Sequence, residues 1–165
     1  MRFVVPILAA SVVVLACSGP GVAQKADDQI APKSAELQKQ GESLLGAGKF
    51  EQAEDALEAS LAVDPRNRWA FVDLARVAEK QQLFGKAVRM ANKALLLEPN
   101  DPDAIAVQGE AMVELGATAR AQANLQKLQS ICAKGGCPQL AQLSAAITRG
   151  PSVAANKAPP SPKSN

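Results

Sequence analysis

Histidine and tyrosine are both absent from the 165 residues. Without histidine the commonest general base is gone, and without tyrosine one useful acid goes with it. The nucleophile and phosphate-binding patterns GxSxG and GxxxxGK[ST] do not occur either. Three cysteines with no histidine fall short of a four-ligand zinc site. Carboxylate pairs exist, Glu54 with Glu58 and Glu110 with Glu114, but a spacing of one helical turn reads as a solvated helix face. The expectation is a non-enzymatic chain with no metal and no cofactor. Aromatic residues are equally scarce, and Trp69 is the only tryptophan. An aromatic contact to a partner therefore has few side chains to rest on.

Long apolar runs are missing from all but the start of the chain. Residues 3–16 are apolar apart from Pro6 and Ser11 and follow a single basic residue, Arg2. Such a run is short of the roughly 20 residues a membrane span needs, and with its small-residue exit it fits a secretory signal over 1–23. Two exits compete. Gly21, Val22 and Ala23 place small residues before a cut at Gln24, which would release the chain into the periplasm. Val14, Leu15, Ala16 and Cys17 resemble the bacterial lipobox, in which Cys17 becomes the acylated first residue and anchors the protein in the outer membrane; Val and Leu depart from that pattern. Either way the mature chain keeps an even pair, Cys132 and Cys137, which an oxidising compartment allows to form a disulfide.

One sign of charge does not dominate. Residues 34–149 carry 13 Lys or Arg against 14 Asp or Glu, so the basic excess of the whole chain lies in its ends. That balance argues against nucleic acid as a partner, and against a membrane partner unless Cys17 is lipidated. Residues 24–33 read as a flexible linker, and 150–165, rich in Pro, Ser and Lys, as a disordered tail. About one domain's worth of chain remains between them.

That middle part repeats itself. Residues 34–67 align without a gap on 68–101, with Pro65 and Pro99 in the same place 34 residues apart, and a third copy, 102–135, loses the register only near its end. Each copy reads as two amphipathic helices joined by a tight turn. Leu37, Gly41, Leu44 and Leu45 form one stripe, and Phe50, Ala53, Leu57 and Leu61 the next. Asn67 stands where a helix N-cap is needed, and Asp101-Pro102 offers a capping carboxylate followed by proline at the first helical position. Beyond the third copy, Leu140, Leu143, Ala146 and Ile147 mark a further amphipathic helix over 138–149 that covers the open end of the stack. Cys132 and Cys137 flank its turn, and a bridge between them would contribute roughly 2 kcal/mol on the chain-entropy model. A redox or metal role is the rival reading, but the pair lacks the CxxC spacing.

These residues resemble the tetratricopeptide repeat family. The family's small eighth position is Gly41, Ala75 and Gly109; its alanine at position twenty is Ala53, Ala87 and Ala121; its aromatic at seventeen is Phe50 and Phe84, with Thr118 departing from it in the third copy. The resemblance implies an all-α fold, three helix-turn-helix repeats stacked as a short right-handed superhelix with a C-terminal capping helix. It also implies a concave groove lined by the first helix of each copy. Groove positions two, five, nine and twelve fall on Ala35, Gln38, Glu42 and Leu45, on Trp69, Val72, Arg76 and Glu79, and on Asp103, Ala106, Glu110 and Val113. The Lys and Asn clamp with which some members hold a terminal carboxylate is missing at these positions. Trp69 serves either as an exposed hot spot or as packing on the preceding helix, and Arg76 either as a ligand anchor or in an internal ion pair.

The function expected is a protein-protein interaction module of the bacterial cell envelope that takes a protein or peptide in its groove. The alternatives are a lipid-anchored, pilotin-like assembly factor for a pilus or secretion system, and an accessory subunit of an envelope enzyme.

Overall fold

The computed structural model describes residues 29–132 and 136–152. The expected signal segment with Cys17 lies outside them, as do residues 24–28 of the linker and 153–165 of the tail. Seven α-helices follow one another: α1 (Pro32–Gly46), α2 (Phe50–Val63), α3 (Arg68–Lys80), α4 (Phe84–Leu97), α5 (Pro102–Glu114), α6 (Thr118–Cys132) and α7 (Pro138–Arg149). No strand occurs among the described residues. Consecutive helices pack as antiparallel pairs, and each second helix also touches the first helix of the next pair. α1, α3 and α5 make contact in that order, so the first helices form one layer and the second helices the other. The expected all-α repeat stack is the fold observed.

Chain chemistry sets the ends of these helices. Proline at the first turn starts α1, α5 and α7, where its missing N–H costs nothing. For this reason α1 begins at Pro32, two residues before the first sequence copy. Asn67 Oδ1 accepts from Ala70 N at 3.4 Å and Asp101 Oδ1 from Ala104 N at 3.0 Å, the two caps expected from the sequence. The turn inside each copy needs one residue with positive φ, found at Gly48 (73°), Gln82 (61°) and Gly116 (74°), each 34 residues from the next. Glutamine has a Cβ that the left-handed region disfavours by roughly 1–2 kcal/mol. Gln82→Gly is therefore expected to raise the urea midpoint, corresponding to about 1 kcal/mol of added stability.

The small residues of the repeat act as spacers, though not always between the same helices. A Cβ on Gly41 would stand 2.5 Å from Leu57 Cγ, so in the first copy glycine sets the approach of α1 to α2. A Cβ on Gly109 would stand 2.7 Å from both Leu143 methyl groups, so in the third copy the spacer faces α7. Ala75, Ala91 and Val107 fill the corresponding place between α3, α4 and α5. The capping helix buries Leu143 and Ala146 completely or nearly so, with Leu140 and Ile147 packed beside them, against Ile105, Ala106 and Leu128. It occupies the position that the first helix of a fourth copy would take. Cys132 and Cys137 lie at the turn that leads into it, their Sγ atoms 2.04 Å and their Cα atoms 5.6 Å apart.

A polar pin closes each of the first two copies. Ser34 and Ser60 exchange bonds of 2.8 Å from each hydroxyl to the other's backbone carbonyl, and Asn67 Nδ2 donates to both hydroxyls at 3.0 and 3.1 Å. All three side chains are buried, so mutual satisfaction is what makes their burial tolerable. In the second copy the same three places hold Arg68, Ala94 and Asp101, and an Arg68–Asp101 ion pair replaces the serine network. Asp64 adds a third tie by accepting from Ala31 N at 3.1 Å ahead of α1. The Arg66 guanidinium beside it holds its carboxyl down at about 2.

Candidate functional site

Position two of each copy projects into the concave face. Ala35, Trp69 and Asp103 line a groove of about 570 Å³, joined by Gln38 and Glu42 of α1 and by Arg76 of α3. Val72 forms part of its floor and is itself 2% exposed, packed on Ala94 and Ala104. Trp69 stays 43% exposed, which is high for the largest side chain in the chain, and it is not buried on the end of α2. The Arg68 guanidinium stacks over its ring at 4.0 Å from the centroid. That contact covers one face of the indole, and the residue still lines the groove.

Arg76 is committed to the protein itself. Nη1 donates to Asp73 Oδ1 at 3.0 Å and Nη2 to Asp103 Oδ1 at 2.5 Å, so it bridges α3 and α5. Glu42 and Glu110, which hold the same repeat position on the neighbouring first helices, do not bond it among the described residues. Asp73 also accepts from Gln38 Nε2 at 2.5 Å, and Asp103 from Gln139 Nε2 at 3.1 Å. One chain of polar contacts thus runs along the groove from α1 through α3 and α5 to α7. Burial raises the Asp73 carboxyl above its usual range, and the Gln38 amide and Arg76 pull it partly back.

The remaining positions sort differently from the expectation. Ala106 (3% exposed) and Val113 (0%) do not line the groove, because α7 lies over the third copy and its Leu143 and Ile147 pack on that part of α5. Leu45 packs on the apolar cluster of Ala53, Leu57, Ala70, Leu74 and Val77 and does not line the groove either. Glu79 and Glu110 open into a separate cavity at the other end of the layer. Groove residues that the family positions missed are Asp73 and Lys39. Asp73 had a signal, since it is the one acid inside the otherwise apolar run WAFVDLA.

A stack of paired helices with small residues at the crossings and a groove along its first-helix layer is the geometry of a helical repeat array. Residues 44–111 match the family model described as Tetratricopeptide repeat. Over those residues the chain is similar to the tetratricopeptide repeat family. No curated protein sequence matches it. Among solved structures it is similar to the Sgt2 TPR domain from Aspergillus fumigatus, with 19% identity and a TM-score of 0.66 over 81% of this chain and 89% of that one. The TPR2B domain of yeast Sti1, in a complex with pHsp70, aligns at 19% identity and a TM-score of 0.65, covering 71% of this repeat protein and 97% of that chain. The second TPR domain of human RPAP3, in complex with an HSP70 peptide, gives 22% and 0.63 over 70% and 95%. At these identities the likeness concerns the fold.

Proposed function

We propose that this repeat protein is a non-enzymatic interaction module of the bacterial cell envelope that holds a protein or peptide segment in the groove beside Trp69. The observation that carries the reading is the indole itself: a large side chain left 43% exposed, propped by Arg68, on the wall of the main groove. Tryptophans in such settings are frequent hot spots. Two of the similar domains, those of Sti1 and RPAP3, form complexes with pHsp70 and with an HSP70 peptide, which supports a peptide-binding reading. Arg76 plays a different part here, keeping the groove rigid through Asp73 and Asp103 rather than meeting the ligand.

Crosslinked capture from the host envelope tests this reading, using the full chain with Trp69→Ala beside it. Trp69→Ala is expected to weaken binding of the captured partner about 30-fold, the effect of a typical hot spot. Equal retention of every partner would mean that another surface binds. The intact mass of the purified mature protein decides the address. A chain starting at Gln24 is periplasmic, and one starting at Cys17 with acyl chains is membrane-anchored and favours the assembly-factor reading.

A further inference from the structure

A smaller cavity, about 270 Å³, lies where the carboxyl ends of α3, α5 and α7 meet, and its lining includes Glu79, Lys80, Glu110, Glu114, Arg149 and Ser152. Three carboxylates stand there at the negative ends of helix dipoles, the unfavourable place for an anion. Glu114 has partners: Arg149 Nη2 at 3.7 Å, and the Ser152 N–H and hydroxyl, which donate to Oε2 at 2.8 and 2.7 Å. Those last two bonds strap the segment after α7 onto α5. Glu79 and Glu110 have no ion pair among the described residues, and Glu110 Oε1 is shielded from solvent without a close hydrogen bond, the Gln142 amide being the donor nearest this carboxyl.

We propose that Glu79 and Glu110 hold a proton between the second and third copies, and that its loss loosens the joint between α3 and α5 and the Ser152 strap beside it. Two carboxylates on adjacent helices, partly removed from water and without a contacting cation, repel each other once both are ionised. The surrounding groups bear on this balance from each side. Arg76 and Lys80 on α3 favour ionisation of both carboxyls, while Glu114 on α5 opposes that of Glu79. From α7, Gln142 and Arg149 favour ionisation of Glu110, and α4 contributes only the ring of Phe84 to the cavity wall. Burial, with Glu110 second, lifts Glu79 to about 8, and burial raises Glu110 as well. Because the folded value lies above the unfolded one, the stability supplied by the proton is complete below about pH 4.5 and is lost as pH rises through about 8.

The test is thermal unfolding of the full chain from pH 5 to 9, together with carboxyl-carbon NMR titration of the two glutamates. The wild-type midpoint is expected to fall by about 5 °C between pH 6 and 9, a shift matching roughly 1 kcal/mol, and Glu79→Gln to flatten that fall. At least one carboxyl resonance titrates above pH 6.5, as the pair's shared step. Hydrogen exchange at Ser152, corrected for its intrinsic pH dependence, quickens over the same range in the wild type and not in Glu79→Gln. Both carboxyls titrating near 4.5, or a pH profile unchanged by Glu79→Gln and by Glu110→Gln alike, would overturn the proposal.

Discussion

Leu143→Ala is expected to lower the unfolding free energy by about 3 kcal/mol, within the range for emptying a fully buried leucine site. Leu143 has no exposed surface and packs among Ile105, Ala106 and Leu128. What makes the loss large is the residue opposite. Gly109 has no side chain that could relax into the vacated space, and its missing Cβ is the reason Leu143 fits at all. Gly109→Ala alone should therefore destabilise by about 1–2 kcal/mol, since overpacking outweighs the gain in helix propensity. In the Leu143→Ala background the same change should stabilise, because the new methyl enters the cavity. A double-mutant cycle by urea unfolding gives the sign directly, and additive effects would show that α5 and α7 do not meet at this point.

Asp101→Ala is expected to cost about 2 kcal/mol, again read from urea unfolding. One carboxylate oxygen caps α5 at Ala104 N, and such caps are worth about 1 kcal/mol. The other takes the Arg68 guanidinium, which is about a third exposed and so loses only part of what a buried cation would. Arg68→Ala should cost clearly less, because the cap survives it. It should also leave Trp69 without the group stacked on its ring, so a change in tryptophan emission without a matching loss of stability would identify the prop.

The periodicity carried most of this fold. A gapless repeat of 34 residues located the helix pairs and both caps, because the spacing of Pro65 and Pro99 and the stripes at three and four residues are local signals that backbone geometry reads directly. The groove was only half legible. Ala35, Gln38, Glu42, Trp69 and Arg76 line it as the family positions imply, but Ala106 and Val113 vanish under α7. The helix was foreseen from Leu140, Leu143, Ala146 and Ile147, yet a lid on a solenoid must lie somewhere, and it lies on the groove-side helix of the last copy. The partners of Arg76 escaped for a related reason. Asp73 is three residues away on the same helix and Asp103 a whole copy away, and only the lateral contact of α3 with α5 makes them equivalent as acceptors.

The two polar pins have one more consequence, for the way such a chain can lengthen. Ser34, Ser60 and Asn67 all belong to one 34-residue copy, and Arg68 and Asp101 both belong to the next. Each lock is complete within its own cassette, while the capping oxygen of Asn67 or Asp101 faces a backbone N–H that any following helix supplies. A tandem duplication of residues 68–101 would bring its own key and lock, so this tie, unlike the Arg76–Asp103 bridge, asks nothing of a neighbouring copy but an amide. Growth by unequal crossover is therefore open to the interior of this stack. It is closed at the third copy, whose spacer glycine is fitted to the lid.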